Sequence, residues 1–385
     1  MLTLLLVAGI CAAAPVAGSA AAPRAEEGRL TPVVQSVLSA PRWFKGDDGS
    51  FHMEYELMLT NTVPLPVDVT TLQVRGTGGR VIETLSGARL EAAMTLLGSE
   101  TPTAELPAST NGIVWLDLSF ATRREIPKQI KHRLTIDIGP GLPAGPIITD
   151  TGVRAAVAGR GPVSITAPLR GPRWATVVGP HRRALQAVNG TLRNAQRFAI
   201  DFSAKLDAED RTHVGSASQN SSYFNYGQPV VAVGAGRVVE AVDRYPDQIP
   251  NHKVPVPLEE ADGNHVIIKL EKRVFAGYAH LKPGSVRVHR GDQVRPGRVL
   301  GKLGNSGNTE GPHLHFELMN RPSIADADGL PFAVDRFRLD GRVPSLEAFL
   351  DADLAGTPVP IDRSVAASFR HRGLTNLDVV TFPGG

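Results

Sequence analysis

Residues 311–318 read Gly311-Pro312-His313-Leu314-His315-Phe316-Glu317-Leu318. In an extended strand alternate side chains share a face. His313, His315 and Glu317 then point one way, and Leu314, Phe316 and Leu318 point into a core. Two imidazoles two residues apart sit about 7 Å apart at Cα, near enough to serve one metal ion and its bound water together. The Gly-rich turn before them, Gly304-Asn305-Ser306-Gly307, marks this as a strand beginning at a loop, where function concentrates.

Working outward, Phe198-Ala199-Ile200-Asp201-Phe202 has the same phase logic. Phe198, Ile200 and Phe202 form the apolar face and leave Asp201 on the other. A carboxylate on the cleft side of an apolar strand is costly unless a cation meets it, and the cation is either a metal or one of the many arginines. His280, in Tyr278-Ala279-His280-Leu281, follows an apolar strand and precedes the turn Lys282-Pro283-Gly284. Glycines at 227, 234, 236, 263, 277, 284, 291, 297, 301, 304 and 307 break this region into short strands, a spacing that fits a curved all-β core.

The rest of the chain extends the all-β reading. Phe51, Met53, Tyr55, Leu57 and Leu59 alternate with His52, Glu54, Glu56, Met58 and Thr60, and Leu134 to Ile138 repeat the pattern. Short strands separated by Pro, Gly and Asn clusters predict an antiparallel sandwich over residues 29–165. His52 and His132 read as surface residues there. Residues 154–193, rich in Arg, Gly and Pro, read as a solvated joint. The expected domains are a β-sandwich at 29–165, a second β core at 166–340 and a tail at 341–385. Within the tail, Ser345 is placed to cap a helix running to Leu354.

Composition bounds the function. The 385 residues carry 41 basic and 38 acidic side chains, a net charge of +3, without a basic block that would suit nucleic acid. A pI near 9.1 is compatible with an anionic partner such as cell wall. The single cysteine, Cys11, excludes an intramolecular disulfide framework and a cysteine-ligated zinc site. It lies in an apolar, small-residue stretch that reads as a secretory signal peptide over residues 1–22. The expected protein is therefore secreted, periplasmic or cell-wall associated, with no stable membrane insertion once that signal is removed.

Six motifs in order carry a family resemblance: Tyr226-Gly227-Gln228-Pro229-Val230-Val231-Ala232 with Gly236-Arg237-Val238; Gly263-Asn264-His265-Val266; Tyr278-Ala279-His280-Leu281; Gly291-Asp292-Gln293-Val294 with Leu300-Gly301; Gly304-Asn305-Ser306-Gly307; and Gly311-Pro312-His313-Leu314-His315-Phe316-Glu317. Over about Ala195 to Leu318 this series resembles the lysostaphin-type zinc endopeptidases that cut peptide cross-links of bacterial peptidoglycan. The preceding sandwich is similar to accessory β domains found before such modules. The resemblance implies one zinc ion, with Asp201 and His315 as metal ligands. It implies that His280 and His313 are catalytic residues that handle the protons of the attacking water. On it the chain is a zinc-dependent endopeptidase of peptidoglycan. The alternative is a catalytically degenerate module on the same fold that binds wall or regulates a wall hydrolase.

One position departs from the family. Its first ligand is a histidine four residues before the aspartate, and here that position is Arg197. A guanidinium has no lone pair to offer a metal. Three arrangements answer the loss: Gln196, His181, His213 or His265 supplies the missing ligand; Arg197 pairs with Asp201 and fills the metal position; or zinc binds weakly with help from substrate. Restoring a histidine at 197 is expected to add a ligand and raise zinc affinity by about tenfold or more.

Overall fold

The computed structural model describes residues 30–140, 145–152 and 154–384. The expected signal peptide, with Cys11, lies outside the described residues. From Pro32 onward the chain is one compact unit, and its architecture is all-β, as the alternating patterns predict.

The first half forms two antiparallel sheets. In one, Phe51–Asn61 lies between Val33–Val37 and Asn111–Phe120, with Met94–Leu96 beyond and Arg42–Lys45 pairing against Phe51–Asn61. In the other, Gln129–Asp137 and Val67–Arg75 are the central pair. Met53, Tyr55, Leu57 and Leu59 pack against Leu72, Val74, Leu134 and Ile136 in a common core. Burial removes each such side chain from water at a gain of roughly 1.5–3 kcal/mol.

Glu54 and Glu56 are buried, because the second half of the chain covers the outer face of the Phe51–Asn61 strand. His132, expected at the surface, is buried: its Nε2 meets the Tyr55 hydroxyl at 2.8 Å inside the sandwich. His52 lies between Asp48 and Asp117, at 3.0 and 3.2 Å.

The second half is built on an eleven-stranded sheet. Its path runs through Phe332–Arg342, Asp378–Phe382, Gly171–Val178, Ile200–Lys205, Leu314–Met319, Val274–Leu281, Asn264–Glu271 and Gly236–Val242. The Arg/Gly/Pro-rich joint therefore holds an interior strand, Gly171–Val178, in place of a solvated stretch. Residues beyond 340 also join this sheet, through Asp378–Phe382 and Ala367–Arg372. Ser345 caps the helix Leu346–Ala355 by accepting from the Ala348 N–H at 3.1 Å, and left-handed Gly356 ends it.

Apolar and ionic contacts join the halves. Phe44 meets Phe198 edge to face, and Trp115 meets His181. Asp47 accepts from Arg342 at 2.7 Å. The most deeply buried of these contacts is Glu56 with Arg197.

Candidate active site

Three adjacent strands of the large sheet position the predicted residues. Asp201 on Ile200–Lys205 lies directly opposite His315 on Leu314–Met319, and His315 in turn lies opposite Ala279 on Val274–Leu281. Directly opposed residues share a face, so the alternation that buries Ile200, Phe202, Leu314 and Phe316 also brings Asp201 to His315. Asp201 Oδ1 and His315 Nδ1 are 2.7 Å apart. His313 Nε2 is 3.9 Å from the same carboxylate oxygen.

His280 reaches this group by a backbone exception. Alternation from Ala279 would turn residue 280 to the opposite face, but His280 has φ +61°, a left-handed conformation that a non-glycine residue adopts at a cost. Its ring then lies 4.6 Å from that of His313 and 6.0 Å from that of His315, centre to centre. The turn holding it needs glycine: a Cβ at Gly263, φ +57°, would fall 2.3 Å from the Ser306 carbonyl oxygen. That carbonyl accepts from His280 Nδ1 at 2.8 Å.

All four predicted site residues therefore converge. Asp201, His280 and His313 line a cleft of about 420 Å³, walled on one side by Leu346, Phe349 and Leu350 of the C-terminal helix. Glu317, expected on the same face, is fully buried away from this cleft lining with neither carboxylate oxygen hydrogen-bonded. Burial raises its pKa well above the ordinary carboxyl range.

The hydrogen bonds fix the tautomers. His280 Nδ1–H donates to Ser306 and His313 Nδ1–H to the Gly311 carbonyl at 3.0 Å, leaving both Nε2 atoms as acceptors. Burial lowers both pKa values, His280 more than His313. We expect NMR titration of the two imidazoles to give midpoints below the ordinary 6.5; a midpoint at or above it for either ring contradicts this environment. For Asp201, burial alone would raise the pKa. The hydrogen bond from His315 and the charge of Arg182 outweigh it and hold the carboxyl far below its usual range.

Arg182 is the residue that sequence reasoning missed. Its Nη1 donates to Asp201 Oδ2 at 2.7 Å and lies 3.5 Å from His315 Nδ1. Arg197, at the position of the family's first ligand, does not touch Asp201. It is buried and donates through Nε and Nη2 to Glu56 at 2.8 and 2.5 Å. The other replacements are occupied as well. His181 is 3.0 Å from Glu56, His213 bonds Thr212, and His265 bonds the Gly263 carbonyl. Gln196 makes no hydrogen bond to Asp201 or His315.

This donor set does not fit zinc as it stands. A catalytic zinc needs three protein ligands beside its water; of the three positions that the resemblance makes ligands, Asp201 and His315 are present and the third holds Arg197. Among the described residues no three His, Cys, Asp or Glu side chains are grouped to hold a metal ion. Both Asp201 oxygens are already engaged. His315 Nδ1 lies 2.7 Å from Asp201 Oδ1, and its buried Nε2 has no hydrogen-bond partner among the described residues.

Comparison with known proteins finds matches to part of the chain. Residues 222–327 match the family model described as Peptidase family M23, a span that includes His280, His313 and His315 and begins after Asp201. Peptidoglycan DD-endopeptidase ShyA of Vibrio cholerae is 37% identical over 73 residues, 18% of this chain and 16% of that protein. Lysostaphin of Staphylococcus simulans is 34% identical over 112 residues, 29% of this chain and 20% of that protein. The matches thus span a fifth or less of these relatives' own lengths. The crystal structure of the catalytic domain of the prophage-encoded M23 protein EnpA from Enterococcus faecalis covers 43% of this chain and 93% of its own, at 22% identity and a TM-score of 0.27. The chain carries a Peptidase family M23 domain of the lysostaphin type behind an N-terminal β-sandwich.

Proposed function

We propose that the chain engages the peptide cross-links of bacterial peptidoglycan in the cleft above Asp201, His280 and His313, and does so as a module that recognises wall peptide without zinc-dependent hydrolysis. The single observation that carries this reading is the fate of Arg197. The residue standing where a first metal ligand belongs is committed to Glu56, which leaves two donors where three are needed. What remains is a walled cleft with neutral imidazoles and backbone groups, suited to hydrogen-bonding a peptide. Relatives named as peptidoglycan endopeptidases and as lysostaphin support wall peptide as the ligand class. Placement outside the cytoplasmic membrane, in the periplasm or wall, belongs to the same proposal. Among the described residues no helix is long and apolar enough to cross a membrane.

A second reading, zinc-dependent endopeptidase activity, is favoured by a different observation. His280 and His313 keep their Nε2 lone pairs and are held neutral, the state a general base requires. On that reading Asp201 and His315 hold the metal, which would supply an acidified water and polarise the scissile carbonyl.

One experiment separates the two. Purified sacculi are incubated with the full chain, with and without added zinc, and pelleted. Protein in the pellet with no muropeptide released under either condition is the expected result. Zinc-dependent release of peptides establishes the endopeptidase reading instead, and absence of protein from the pellet overturns wall recognition.

A further inference from the structure

We infer that Arg182 is the resident cation of this centre: its guanidinium takes the place of a dication between Asp201 and His315, and a divalent metal enters only when that side chain is removed. The inference deepens the metal-free reading above and rests on it. Arg182 Nη1 lies within reach of both donors that would flank a metal, 2.7 Å from Asp201 Oδ2 and 3.5 Å from His315 Nδ1. A guanidinium stays protonated at any working pH, so this cation is permanent, and a dication beside it would meet a fixed like charge.

Arg182 is also held in place from its backbone. Its N–H donates to the Arg197 carbonyl at 3.2 Å, and its carbonyl accepts from Asn194 Nδ2 at 3.1 Å. Asn194 Nδ2 also donates to Glu56 at 2.7 Å, and the preceding residue, His181, contacts the same carboxylate. One buried sandwich carboxylate therefore anchors the residue before Arg182, the asparagine that grips its carbonyl, and Arg197. An arginine resting by chance on an acidic spot would not need this support. Nε and Nη2 make no hydrogen bond among the described residues, and Arg182 lines the cleft. It is free to donate to a ligand oxygen in the way a metal would accept one.

The test is zinc binding by the full chain, read by competition with a fluorescent chelator. Wild type is compared with Arg182→Ala, Arg182→Gln and the double change Arg182→Ala with Asp201→Asn. The expected result is zinc affinity at least tenfold higher in Arg182→Ala and Arg182→Gln than in wild type, with the gain lost in the double variant. Equal affinity in wild type and both single variants overturns the inference, as does a gain that survives Asp201→Asn. Should those variants not fold, Arg182→Met, which keeps the aliphatic stem and removes the charge, is read in the same competition: a gain of tenfold or more supports the inference and unchanged affinity overturns it, as does a zinc-raised unfolding midpoint in wild type. Sacculus binding by wild type is scored separately. Loss of wall recognition with intact zinc exclusion, or the converse, shows which of the two readings has failed.

Discussion

Replacing Glu56 with alanine should lower the unfolding free energy by about 3–5 kcal/mol, the range seen when one partner of a buried ion pair is removed. Glu56 is fully buried and accepts from Arg197 Nε and Nη2 and from Asn194, with His181 at 3.0 Å. Its loss strands the Arg197 guanidinium, 1% exposed, without a counter-charge. Unfolding in urea at pH 7 measures the effect, and a loss below about 1 kcal/mol would mean that water or another carboxylate takes over the arginine. The pH dependence has a fixed sign. Burial alone would raise the Glu56 pKa, but the charge of Arg197 and the hydrogen bonds from His181 and Arg197 hold it well below the ordinary 4.5. A depressed carboxyl stabilises the fold above its unfolded pKa and loses that stabilisation as pH falls toward the folded value. The gap between wild type and Glu56→Ala should therefore be fullest at neutral pH and shrink below about pH 4.5.

The same strand shows what local pattern can and cannot disclose. Period-two alternation located Met53, Tyr55, Leu57 and Leu59 correctly, since one face of the sandwich is core whatever lies outside it. It did not disclose the burial of Glu54 and Glu56, because burial of the second face depends on a contact 141 residues away in sequence, between Glu56 and Arg197. The candidate site divides along the same line. Asp201, His313 and His315 were legible because strand phase puts them opposite apolar neighbours. Strand register then did the rest, pairing Asp201 with His315. His280 was legible only through its motif, since nothing in the local pattern announces a left-handed backbone at a bulky residue. Arg182 was not legible at all. It sits in a segment whose arginines made it look solvated, and its partner Asp201 is 19 residues on. The one available hint was the run Trp174-Ala175-Thr176-Val177-Val178, whose continuous apolar character suits a strand buried on both faces. Its place between Ile200–Lys205 and Asp378–Phe382 brings the Arg182 segment to the edge of the cleft.

The change Arg197→His should not create a zinc site, contrary to what the family pattern alone suggests. Two facts of the structure decide this. The side chain at 197 is directed at Glu56, so a histidine there faces a buried carboxylate in preference to Asp201. Arg182 also remains on Asp201. At an effective dielectric near 20, a dication and a unit charge about 4 Å apart repel by roughly 8 kcal/mol before screening, more than one added imidazole offsets. Zinc affinity should therefore stay within about twofold of wild type, twofold being under 0.5 kcal/mol. Stability should fall, because the shorter imidazole cannot reproduce the two-pronged grip of Arg197 Nε and Nη2 on Glu56. That loss should approach the lower end of the range given for Glu56→Ala, about 3 kcal/mol, and be partly recovered below about pH 6.5, where the new imidazole gains a proton and restores a buried pair. Zinc titration and urea unfolding of the same protein read both quantities. A tightening of tenfold or more would mean that position 197 reaches the Asp201 face after all and that Arg182 yields to the metal. In that event the third ligand, and not the resident arginine, is what this centre lacks.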